Sequence, residues 1–114
     1  MSNSITTHVL ETSIGRPAAG VSVTLENWHA DGSWKIAGSG VTDSDGRLQD
    51  LLPEGELVGG RYRICFGTGD YYAKRRTATF YPSVTVEFEV ADAQEHYHVP
   101  LLLSPCGYST YRGS

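Results

Sequence analysis

The chain has 114 residues, of which 39% are hydrophobic and 19% charged, and carries a formal net charge of -4. That balance describes one globular domain, able to bury about 65% of the surface its unfolded chain exposes without disulfide or metal staples. It excludes a phosphate-backbone binder, which needs a basic stripe. No run approaches the ~20 apolar residues of a membrane span, and the glycines build no phosphate-cradling loop, so no nucleotide cofactor is implied.

Taken in chain order, residues 1–4 read as a flexible lead-in, and Gly15-Arg16-Pro17 through Gly20 reads as turns. Val21, Val23 and Leu25 alternate with Ser22, Thr24 and Glu26, the period of a half-buried strand. Asp31-Gly32 predicts a tight hairpin turn into Trp34-Lys35-Ile36, with positive φ at both residues, and Asp45-Gly46 repeats the signal before Arg47-Leu48. A loop opens at Pro53-Glu54-Gly55 and closes at Gly59-Gly60. Tyr62, Ile64 and Phe66 then mark a strand. Asp70 is placed to cap a helix of about two turns, ending in the cationic run Lys74-Arg75-Arg76. Val84, Val86, Phe88 and Val90 alternate with polar residues in the cleanest strand of all. The expected fold is an all-β, antiparallel sandwich of seven or eight strands with one short helix, a single domain over 1–114.

The chemistry gathers near the end of the sequence. His96 and His98 are two apart in a strand, so both face one side, about 6.5–7 Å apart, while Tyr97, Val99, Leu101 and Leu103 pack the other. Pro100 removes a ladder hydrogen bond, which places that strand at an edge or at a local bulge. Any one strand histidine taken alone is an ordinary polar residue, and His29 and His96 read as surface. With His8, the pair could instead form a three-histidine zinc site, although no spacing shows that His8 is within reach. Ser104 and Ser109 sit in no nucleophile elbow, and Cys106 occupies a turn between Pro105 and Gly107, so water is the better nucleophile. Cys65 and Cys106, without an export signal, read as reduced thiols in a cytoplasmic protein. The final Tyr108-Ser109-Thr110-Tyr111-Arg112-Gly113-Ser114 carries more binding groups than a frayed tail requires, so it reads as part of a site.

The string from His96 to Ser114, ending Tyr111-Arg112-Gly113-Ser114, resembles the C-terminus of the 5-hydroxyisourate hydrolases, the transthyretin-related proteins of urate breakdown. Thr7-His8-Val9-Leu10 is similar to the opening strand of that family. Gly15 to Val21 and Thr42 to Arg47 are similar to turns shared by many prealbumin-like sandwiches. The resemblance spans Ile5 to Ser114, and Glu11 departs from it where the family more often has aspartate. It implies hydrolytic opening of the 5-hydroxyisourate ring without a cofactor or metal. It also implies a site in which His8, Arg47 and His98 are catalytic and His8, Arg47, Tyr111 and Ser114 bind substrate. A homotetramer with sites between subunits follows from the same resemblance. A non-catalytic carrier or structural module would share the sandwich but not the tail.

Overall fold

The computed structural model describes residues 4–53 and 55–114. Two sheets face each other. One holds β1 (Ile5–Glu11), β2 (Arg16–Pro17), β5 (Arg47–Leu48), β8 (Tyr97–Ser104) and β9 (Gly107–Thr110); the other holds β3 (Ser22–Trp28), β4 (Trp34–Val41), β6 (Gly60–Phe66) and β7 (Val84–Val90). Their orders are β2-β1-β8-β9, with β5 added to β1, and β4-β3-β6-β7. The alternating residues read from the sequence close the core between them: Val23, Leu25, Ile64 and Phe66 from one sheet meet Ile5, Val9, Leu101 and Leu103 from the other. A sandwich with seven strands of four residues or more, plus two two-residue strands, matches the expected architecture. Among the described residues no helix is long and apolar enough to cross a membrane.

Four local expectations need correction. The β1–β8 pair is parallel, running from Ile5↔Tyr97 to Glu11↔Leu103, inside an otherwise antiparallel arrangement. Period-two alternation reports faces, not strand direction, so the sequence could not reveal it. The β3–β4 loop spans 29–33 and only Gly32 has positive φ; the Asp31 carboxylate instead accepts hydrogen bonds from the Ser33 amide and hydroxyl. The helix α1 (Thr68–Lys74) starts earlier than Asp70, at an N-cap Gly67 that has no side-chain capping bond. Its start is tied down by long-range bonds, Gly67 N–H to Ser22 O at 2.8 Å and Gly69 N–H to Pro82 O at 3.0 Å, which outweigh the local capping preference. Finally, β8 is not an edge strand. Pro100 interrupts only the ladder toward the C-terminal segment, between Leu101↔Thr110 and the His98↔Gly113 bridge, and the Thr110 hydroxyl donates to its carbonyl at 2.6 Å.

Ser4 is not a loose lead-in residue: it is 4% exposed, and its carbonyl accepts the Tyr97 amide at 2.9 Å. The rest of that expected flexible segment, residues 1–3, lies outside the described residues, as does Glu54 in the loop between β5 and β6. Cys65 and Cys106 are both free thiols, and Cys106 sits in the β8–β9 turn where the sequence placed it.

Glu11 explains how the helix is fixed to the sandwich. Its side chain points inward from β1 at 3% exposure and accepts from Tyr71 Oη at 2.9 Å, Tyr72 Oη at 2.5 Å and Ser13 Oγ at 2.6 Å. Burial pushes its carboxyl upward, but the hydroxyls of Ser13, Tyr72 and Tyr71, with Arg75 nearby, bring it below its ordinary value of 4.5. Burial and the same carboxylate push the Tyr71 phenol up to about 12. Because the folded-state value is depressed, the ionised form favours the fold. That contribution is present above 4.5 and lost as pH falls through the folded-state value. Replacing Glu11 by alanine strands two buried phenols, each costing about 1–3 kcal/mol, so thermal melting should fall by roughly 10 °C or more at neutral pH. The loss should shrink as the wild type is acidified below pH ~4. An unchanged melting temperature would show that the cluster contributes nothing.

Candidate active site

The site is built on the outer face of the five-stranded sheet. On β1, Thr6 and His8 point outward while Thr7 and Val9 point in. The register sets Arg47 of β5 opposite His8, and His98 of β8 opposite Thr6, so four neighbouring positions on three strands form one patch. Adjacent strands lie about 4.8 Å apart, close enough for these side chains to share a small molecule.

The turn before Arg47 is held from several directions. The Asp43 carboxylate accepts the amides of Asp45 at 2.9 Å and Arg47 at 3.0 Å, and those two bonds hold its carboxyl below the usual range. Gly46 has φ 75° and gives its carbonyl to the Val9 amide at 2.7 Å; a Cβ there would lie 2.4 Å from the Val9 oxygen. Only glycine permits both the left-handed conformation and the close approach. The Asp45 carbonyl then accepts His8 Nε2–H at 2.9 Å. A carbonyl cannot donate, so this bond fixes the proton of neutral His8 on Nε2 and leaves Nδ1 free.

His98 is clamped on both edges of its ring. Its Nδ1 lies 2.7 Å from Thr6 Oγ1, and the backbone of Gly113 closes on the other edge, with the Gly113 amide donating to the His98 carbonyl at 2.8 Å. A Cβ on Gly113 would sit 2.6 Å from His98 Cδ2. Burial first, then the nearby His8, His96 and Arg47, hold His98 below its ordinary value of 6.5. The imidazole is therefore neutral at physiological pH, with a lone pair available to accept a proton.

A cavity of about 330 Å³ opens over this patch, with Thr6, Arg47, Gln49, His96, His98 and Ser114 on its walls. Of the residues singled out in the sequence, Arg47, His98 and Ser114 meet there. His8 stands beside Arg47, its ring turned to the Asp45 carbonyl rather than lining the cavity. Tyr111 does not join them in this chain: it is 57% exposed and borders a second groove, with Phe88, Tyr97, Val99 and Arg112, at the open side between β7 and β9. His96 needs the opposite correction. It lines the cavity, with Nε2 3.2 Å from Thr6 Oγ1 and Nδ1 3.3 Å from Ser4 Oγ. The signal for it was present, since residues two apart in a strand share a face; the same spacing marks Thr6 from His8 and Gln49 from Arg47. Among the described residues no group of three or more metal-ligating side chains comes together, so the three-histidine arrangement is not formed within this chain.

The comparisons with known proteins identify the family. The 5-hydroxyisourate hydrolase of Salmonella typhi is 48% identical over 113 residues, covering 99% of this chain and 82% of that protein. The 5-hydroxyisourate hydrolase of Halalkalibacterium halodurans is 45% identical over 119 residues, covering 100% of both. Among solved structures, Klebsiella pneumoniae 5-hydroxyisourate hydrolase superposes with a TM-score of 0.84 at 32% identity, over 96% of this chain and 98% of that one. Sea bream transthyretin in complex with thyroxine gives 0.90 at 31% identity, over 96% of this chain and 93% of that one. With a sequence model of the HIUase/Transthyretin family matching residues 5–113, the chain belongs to the HIUase/Transthyretin family.

Proposed function

We propose that this chain is a hydrolase that opens the ring of 5-hydroxyisourate, with His98 as general base and Arg47 as the group that stabilises developing negative charge. The observation that carries this reading is the shared cavity wall: a partly buried, neutral imidazole and a guanidinium meet on one small polar space. Its volume falls within the range of about 300–1,000 Å³ common to small-molecule sites. Walls of arginine, histidine, threonine and glutamine suit a flat, polar bicycle better than an apolar hormone.

In this reading His98 takes a proton from water as the oxygen attacks the acyl carbon bonded to a ring nitrogen. Negative charge moves onto the carbonyl oxygen of the tetrahedral intermediate, where the Arg47 guanidinium offers directional donors. Collapse breaks the carbon–nitrogen bond, and the His98 imidazolium returns its proton to the leaving nitrogen. His8, with Nε2 committed to Asp45, has Nδ1 left for orienting substrate beside Arg47. Ser114 supplies a polar wall. Tyr111 reaches the substrate in this proposal from a neighbouring subunit. The open cavity and the placement of Tyr111 at a sandwich edge support an assembly in which the site is completed between copies, as expected for a homotetramer.

The pH dependence tests this assignment. The base must be unprotonated, so kcat/KM for 5-hydroxyisourate should rise with pH and level off, with an apparent pKa below 6.5. Absorbance-followed rates across about pH 5 to 8 would show it. A rate independent of pH over that window, or a limb well above neutrality, would remove His98 from the role.

A further inference from the structure

Thr6 occupies an unusual place in this site. It is 7% exposed, directly opposite His98 in the β1–β8 register, and its single hydroxyl lies within hydrogen-bond distance of two imidazoles. The contacts form a file: Ser4 Oγ to His96 Nδ1 at 3.3 Å, His96 Nε2 to Thr6 Oγ1 at 3.2 Å, and Thr6 Oγ1 to His98 Nδ1 at 2.7 Å. A hydroxyl has one hydrogen and two lone pairs, so Thr6 donates to at most one of the two rings and accepts a ring N–H from the other.

We infer that Thr6 is a positioning residue for the base: it donates to His96 Nε2 and accepts from His98 Nδ1–H, which fixes the His98 lone pair on Nε2. This deepens the reading of His98 as base and rests on it. In the opposite direction Thr6 would donate into Nδ1, and the His98 proton would sit on Nε2. Nδ1 would then be the basic nitrogen, turned against β1 and away from a water in the cavity. In the inferred direction His98 keeps Nδ1–H both as imidazole and as imidazolium. Gaining a proton at Nε2 and returning it therefore requires no reversal of the file. The Gly113 backbone runs along the far edge of the ring, where an added Cβ would meet Cδ2 at 2.6 Å. His96, two residues earlier on the same face, serves as the acceptor that orients the Thr6 hydrogen away from His98.

The test combines tautomer and turnover. Nitrogen chemical shifts of His98 in the full chain, measured without substrate above its titration, should report a proton on Nδ1. Thr6→Val keeps the side-chain shape and removes the hydroxyl. It should leave His98 in mixed tautomers and lower kcat for 5-hydroxyisourate about 10–100-fold, while KM stays within about threefold. Thr6→Ser should restore most of the rate and the single tautomer. A wild-type His98 protonated on Nε2, or a folded Thr6→Val variant with unchanged kcat, would overturn the inference. His98→Ala measured alongside separates the two claims. If that variant keeps its activity, the assignment of the base fails whatever the tautomer, whereas the nitrogen shifts judge the role of Thr6 without any reaction.

Discussion

His98→Ala should lower kcat for 5-hydroxyisourate by ~10²–10⁴-fold while leaving the sandwich folded, because it removes proton transfer from a side chain that contributes little to the core. Arg47→Ala should cost ~10²–10³-fold, the usual effect of deleting a donor to a developing oxyanion. Arg47 is exposed and its turn is held through backbone amides, so the loop should survive its removal. His29→Ala is the internal control: His29 lies exposed in the β3–β4 loop, in the other sheet, and should be nearly silent. Steady-state kinetics with circular dichroism on the three variants checks all of this. Equal losses at His29 and His98 would mean that the patch on β1, β5 and β8 is not where the reaction occurs.

Gly113→Val should produce the second large effect without touching a reactive group. The added Cβ would approach His98 Cδ2 to 2.6 Å and Pro100 Cγ to 3.3 Å, so the ring or the C-terminal segment must move. A displaced base is costly, since an ångström of misplacement can remove about 10²-fold in rate. The segment buries little, with Tyr111 and Arg112 both exposed, so melting should shift by only a few degrees. The expected signature is a fall in kcat of roughly 10–100-fold with near-normal stability. Loss of stability in proportion to activity would make Gly113 a structural residue only.

The sequence carried faces well and partners poorly. Alternation at Val84–Val90 and at Tyr62–Phe66 placed both strands and their buried sides, because a period of two is a local property of the backbone. It could not show that β1 runs parallel to β8, since that pairing joins opposite ends of the chain. The same limit governed the site. His98 and Arg47 were legible from the family-like string and the Asp45-Gly46 turn, yet their sharing of a cavity depends on β5 joining β1. His96 was placed on the His98 face by spacing but read as surface, because nothing local reveals that Thr6 and Ser4 lie across the strand from it. Glu11 was noted only as a departure from aspartate; its phenol partners come from a helix about sixty residues away, beyond any local pattern. Tyr111 shows the remaining gap: the chain holds it at the sandwich edge, away from the cavity that Arg47 and His98 share.

The central claim is best tested by ultraviolet absorbance of freshly generated 5-hydroxyisourate, followed with and without catalytic amounts of the full chain. The account predicts decay faster than spontaneous hydrolysis, in proportion to protein concentration, with the acceleration lost in His98→Ala. Decay at the spontaneous rate in the presence of folded wild-type protein would contradict it.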